Sequence, residues 1–110
     1  MVATMSSFDP ARMRLAAAQA SALLKALSHP DRLLLLCQLT QGEHAVGQLE
    51  QALDIRQPTL SQQLGVLREE GLVRTRREGK QIHYQIASPR AQAVLQTLYQ
   101  QFCASQGDPT

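Results

Sequence analysis

The feature that most constrains this chain is a change of hydrophobic period at Gly71. Before it, in "PTLSQQLGVLREEG", Leu60, Leu64 and Leu67 recur at the spacing of a helix with one apolar stripe. After it, in "LVRTRREGKQIHYQIA", Ile82, Tyr84 and Ile86 alternate with Gln81, His83 and Gln85, the period of a strand with one covered face. Glu78-Gly79-Lys80 interrupts that alternation with a glycine free to take positive φ, so the segment predicts a β-hairpin. The helical period then returns: Ala91, Val94, Leu95, Leu98 and Phe102 share one face of a helix expected over residues 88–105. A hairpin set between two amphipathic helices leaves few architectures open.

Upstream, helix punctuation repeats. Asp9-Pro10, Ser28-His29-Pro30-Asp31 and Ser88-Pro89 each combine a capping side chain with a proline, whose missing N–H would be orphaned at a helix start anyway. The first helix, residues 10–27, carries Leu15, Leu23, Leu24 and Leu27 among alanines. The second, residues 30–40, holds the run Leu33 to Leu36, read as core, and stops at Gly42, expected at C′. A third fits "AVGQLEQAL", and the polar turn "DIRQ" separates it from the leucine-striped fourth. The expected class is therefore mainly α with a small β-hairpin: four helices, the hairpin, and a fifth helix. Residues 10–105 form one domain, with flexible tails at 1–9 and 106–110. At 110 residues, burial against a second chain is a natural supplement to a core of this size.

Hydrophobic residues at 44% and charged residues at 18% describe an ordinary globular chain, and no apolar run approaches a membrane span. The N-terminus lacks a basic stretch followed by an apolar one, so a cytoplasmic location is expected. A net charge of +2 says little by itself; its placement says more. Between Gly71 and Arg90 lie Arg74, Arg76, Arg77, Lys80 and Arg90 against the single acid Glu78. Two helices joined by a short turn, the second presenting Thr59, Ser61, Gln62 and Gln63, form a helix-turn-helix whose side chains suit base edges in a DNA major groove. The basic hairpin after it supplies phosphate contacts as a wing. Either feature alone reads equally well as solvated surface; the two in this order point to double-stranded DNA.

These residues carry a resemblance. "ALSHPDRLLLLCQL" and "AVGQLEQALDIRQPTLSQQLGVLREEGLVRTRREGKQIHYQI" resemble the ArsR/SmtB family of winged helix-turn-helix repressors over about residues 20–104. The resemblance implies a homodimer formed through the first and last helices, two recognition helices on an imperfect palindromic operator, and an inducer that weakens DNA binding. Residue by residue, it places Gln57, Thr59, Ser61, Gln62 and Gln63 at base or phosphate contacts and Arg76, Arg77 and Lys80 on the wing, with His83 beside them facing outward. Arg56 departs from the family's small polar residue before the recognition helix. Arginine is a poor cap, so either Gln57 takes that role or the cap is given up for a phosphate contact by Arg56.

The family's metal sites are not matched. The third helix reads "EHAVGQLE", without the Cys-Val-Cys type motif of arsenic, cadmium or lead sensors, and the last helix has no Asp or His of the zinc and nickel type. His29, His44 and His83 are scattered over a helix start, a turn and the hairpin, so no cofactor or metal is expected. The thiols Cys37 and Cys103 remain, and their placement resembles the sulfide- and persulfide-sensing branch of the family, of the BigR, SqrR, YgaV and HlyU type. That likeness implies that Cys37 and Cys103 become linked through a di-, tri- or tetrasulfide on meeting persulfide or polysulfide, lowering operator affinity. Other readings are a repressor answering general oxidants or a metal or metalloid, a DNA-binding protein with inert cysteines, and a cytosolic thiol oxidoreductase. The last lacks a C-x-x-C motif, and no catalytic constellation is seen.

Overall fold

The computed structural model describes residues 9–104; the expected tails lie outside the described residues, except for Asp9, which caps the first helix. The order is α1 (Pro10–Leu27), α2 (Pro30–Leu39), β1 (His44–Ala45), α3 (Val46–Leu53), α4 (Thr59–Glu69), β2 (Val73–Glu78), β3 (Gln81–Ile86), α5 (Pro89–Tyr99) and a π-helical turn, Gln100–Ala104. Three helix starts are capped at the expected places. Asp9 Oδ1 accepts from the Ala11 N–H, His29 Nδ1 from Asp31 N–H and Ser88 Oγ from Ala91 N–H. At α3, Ala45 offers no side-chain acceptor, but the Gln48 carbonyl reaches back to the Ala45 N–H at 2.7 Å, the return half of a capping box.

The core is a leucine layer. Leu35, Leu36, Leu49, Leu60, Leu64, Leu67 and Leu95 are essentially inaccessible, each stabilising the fold by about 2 kcal/mol through burial. Not all of the leucine run joins them: Leu34 is 47% exposed, because four consecutive helical residues point around the whole circumference. Helix α1 departs further from globular packing. Residues 10–22 are all exposed, and only Ala26 and Leu27 are buried. Its alanines favour helix intrinsically, but most of one face has no partner among the described residues.

The hairpin forms as expected, with a two-residue loop between Glu78 and Gln81, which pair across it. Gly79 takes φ +62° and Lys80 does not follow it to positive φ, the pattern of a type II′ turn. A third strand was not foreseen. His44, expected in a turn, and Ala45 pair with Tyr84 and His83, giving the antiparallel order β1-β3-β2. Two paired residues are too few to show a strand period. Gly42, expected at C′ of α2, lies one position further out, since Thr40 is the cap. The last helix also differs: it stops being α at Tyr99, and Phe102, expected on the core face, is 63% exposed in the π turn.

Helix α4 ends in a Schellman motif. Leu72 N–H donates to Leu67 O at 3.0 Å, Gly71 N–H donates to Arg68 O at 3.1 Å, and Leu72 and Leu67 both join the core. Gly71 at φ +74° thus turns the chain from α4 directly into the wing. A Cβ there would touch nothing within 4 Å, so substitution carries a conformational cost alone. Gly71→Ala is expected to lower stability by about 1–2 kcal/mol and Gly71→Asn by less, read as urea-midpoint shifts, because asparagine tolerates the left-handed region.

Candidate nucleic-acid interface and cysteine pair

Burial of Leu60, Leu64 and Leu67 turns the opposite side of α4 to solvent. Gln57 resolves the capping question. Its Oε1 accepts from the Ser61 N–H at 3.1 Å and the Ser61 hydroxyl at 2.7 Å, closing the start of α4 from outside the helix. The Gln57 amide N–H groups and the free lone pairs of Ser61 Oγ then face outward. Gln62 is exposed and, among the described residues, has no intramolecular side-chain partner, whereas Thr59 is half-buried at the first turn. Gln63 differs from its neighbours: it is half-buried, and its Oε1 accepts from Arg32 Nη1 at 3.0 Å. Arg56 sits 3.9 Å from Asp54 with both side chains largely in water, a pair too solvated to restrain it from a phosphate.

On the wing, strand alternation separates residues that are adjacent in sequence. Arg76 lies opposite His83 and Arg77 opposite Ile82, so the two guanidinium groups leave opposite faces. Arg76 is engaged within the protein: Nε and Nη2 each donate to the Glu43 carboxylate at 2.8 Å, and Nη1 lies 3.3 Å from Glu78. This fork ties the hairpin to the loop before β1. Its hydrogen bonds hold Glu43 below the usual carboxylate range and raise Arg76. Arg77 and Lys80 are exposed, and among the described residues neither has an ion-pair partner. Arg74 donates to Gln85 at 3.3 Å. Arg90 belongs elsewhere, lining a groove between α1 and α5.

His83 does not face out. Its side chain is 15% exposed, with Nε2 buried, lacking a hydrogen bond and 3.5 Å from Glu78 Oε1. Pairing with β1 makes β3 the central strand, so His83 is flanked by Ala45 on one side and Arg76 on the other, with Glu78 beside its ring. His44 is also occupied, with Nδ1 2.7 Å from Gly42 O and Nε2 3.2 Å from the Gln38 amide, latching the loop to α2. Among the described residues no group of three His, Cys, Asp or Glu side chains is placed to hold a metal.

Cys37 is half-buried on α2 against the core, and Cys103 is exposed in the π turn; both are free thiols. Burial pushes the Cys37 thiol up, and negative charge at Cys103 pushes it further.

A helix-turn-helix whose second helix leads through a glycine into a basic antiparallel wing is a winged helix-turn-helix DNA-binding domain. The chain belongs to the arsR family of bacterial regulatory proteins, whose model matches residues 29–75. It is 60% identical over 88 residues to the biofilm growth-associated repressor of Agrobacterium fabrum, covering 80% of this chain and 75% of that one. The crystal structure of the transcriptional repressor BigR from Xylella fastidiosa superposes with a TM-score of 0.81 at 52% identity, over 88% of this chain and 99% of the other. Reduced HlyU from Vibrio cholerae gives 0.81 at 38% identity, over 84% and 97%. The protein is thus a DNA-binding regulator rather than an enzyme, and no described helix is long and apolar enough to cross a membrane.

Two measurements check these assignments. Arg77→Ala and Lys80→Ala should each reduce the slope of log affinity against log salt by about 1 and leave sequence preference unchanged. The Glu43 carboxyl, followed by NMR, should titrate below its ordinary 4.5. Its folded value is depressed, so its contribution to anchoring the wing is present above 4.5 and fades as pH falls through the lower value. Arg76→Ala should return the Glu43 titration to the ordinary range.

Proposed function

We propose that the chain is a homodimeric transcriptional repressor that grips an imperfect palindrome and releases it when Cys37 and Cys103 become linked through reactive sulfur. The observation that carries this reading is the pair of free thiols, Cys37 half-buried on α2 against the core and Cys103 exposed at the end of the last helix. The relative solved as reduced HlyU supports a redox-dependent state in this group of proteins. Self-association is supported by α1, exposed along residues 10–22, and by the groove of about 590 Å³ between α1 and α5, lined by Ala16, Ala20, Leu23 and Val94. Two copies joined there would set two α4 helices at the spacing of one turn of DNA, about 34–36 Å. Gln57, Thr59, Ser61, Gln62 and Gln63 would meet the major groove, with Arg56, Arg77 and Lys80 on phosphates. Arg76 and His83 support the wing.

The asymmetry between the thiols orders the chemistry. Exposed Cys103 meets the inducer first: its thiolate attacks the outer sulfur of a persulfide RS–SH, giving Cys103–S–SH and releasing RS⁻. The Cys37 thiolate then attacks the Cys103 Sγ and expels HS⁻, closing a disulfide. If Cys37 has itself become Cys37–S–S⁻, the same attack closes a trisulfide that spans a longer gap. Either bridge ties α2, which packs against α4, to the end of α5, and so biases the placement of the recognition helices. A coupling of about 1–3 kcal/mol relieves repression roughly five- to 150-fold.

Glutathione persulfide should lower the affinity of the wild type for a duplex selected from a random library, and a Cys37–Cys103 cross-linked peptide should gain the mass of the bridge. Cys37→Ser and Cys103→Ser should each bind the duplex normally and no longer respond. Release of the Cys37→Ser variant as readily as wild type would sink the switch. A parallel peroxide arm separates persulfide from general oxidants.

A further inference from the structure

One guanidinium joins three helices at the interface. Arg32, in the first turn of α2, donates from Nε to Ala26 O at 2.7 Å and from Nη2 to Lys25 O at 3.3 Å. These carbonyls belong to the last turn of α1, where a cation is favoured. The remaining arm, Nη1, donates to Gln63 Oε1 on α4 at 3.0 Å. Arginine has no acceptor, so the atom of the Gln63 amide that meets it is necessarily the oxygen. A glutamine free on a recognition helix can turn both oxygen and nitrogen outward and pair bidentately with adenine N6 and N7. One lone pair of the Gln63 oxygen is committed to Arg32, which draws that oxygen toward α2 and away from such a pairing, while the Nε2–H₂ group has no partner among the described residues and stays free to donate.

We propose that Arg32 is a specificity-determining positioning residue, which touches no base but fixes Gln63 as a donor-only reader and selects guanine at the facing base pair. Guanine presents two adjacent major-groove acceptors, O6 and N7, to such a group, whereas adenine presents its N6 donor beside N7. The proposal rests on the assignment of α4 as the recognition helix. Because Arg32 is anchored on two α1 carbonyls, the orientation of Gln63 is set by the α1–α2 junction and not by α4 itself.

The test is selection from a randomised duplex library with the full chain. Gln63→Ala should erase the preference at one base pair per half-site, which locates the position. There the wild type should favour guanine, and Arg32→Ala should move the preference to adenine, changing the guanine-to-adenine ratio about tenfold or more. Gln63→Glu retains an acceptor for Arg32 and gives a second readout that does not require losing the α1–α2 anchor. Held inward, its carboxylate should leave the position without preference; a carboxylate free to turn outward would select cytosine through N4. Selection of cytosine by Gln63→Glu, or an unchanged guanine preference in a folded Arg32→Ala, overturns the proposal alone. A strong consensus in which Gln63→Ala alters no position removes Gln63 from base reading and overturns it too. Absence of any selected consensus in the wild type would instead strike the recognition-helix assignment.

Discussion

The apolar stripe of α4 against the leucines of α2 is the contact on which the rest of the interface depends. Leu60, Leu64 and Leu67 are buried to within 1% of full coverage, beside Leu35 and Leu36, which are likewise closed to water. A helix so held has a fixed rotation about its own axis. Ser61 and Gln62 are therefore committed to solvent, and Gly71 comes out where its left-handed turn leads into β2. Packing inside the domain thus decides which polar groups of α4 face outward.

A second layer of control comes from side chains whose charges are spent within the protein. Arg76 looks in sequence like part of a basic wing, yet its fork closes on Glu43 and holds the hairpin to the α2–β1 loop. Arg32 does the same for the bundle, neutralising carbonyls at the end of α1 while orienting Gln63. Of the wing cations, Arg74, Arg77 and Lys80 have no ion-pair partner among the described residues, so the charge available at the surface is smaller than a count of Lys and Arg suggests.

Helix α2 connects these parts to the thiol pair. It begins with the Arg32 anchor, packs on α4 through its middle and carries Cys37 near its end. Burial keeps Cys37 protonated more than an exposed thiol, and the exposed Cys103 stands at the end of α5, where the backbone widens into a π turn. Cys37 fills a place beside the core and is only partly covered.

The winged helix was legible in the residues because its elements announce themselves locally. Asp9, His29 and Ser88 mark helix starts, Gly71 and Gly79 mark turns, and the period changes at the boundary between α4 and the wing. The resemblance to the ArsR/SmtB family, stated over about residues 20–104, was sound: the family model covers residues 29–75 and a relative 60% identical aligns over 80% of the chain. Three kinds of fact were not local. Strand β1 is two residues long, and its pairing with β3 sets Ala45 beside His83. The partners of Arg76, Arg32 and Gln63 lie 31 or more residues away or across a helix junction, where no sequence period reports them. The placement of Cys103 depends on where α5 widens into a π turn. Local backbone preference and hydrophobic spacing therefore determined which elements form. Only the packed structure decided which charged and polar side chains are spent inside the fold and which remain for DNA, because distances between side chains exist only once the helices have packed.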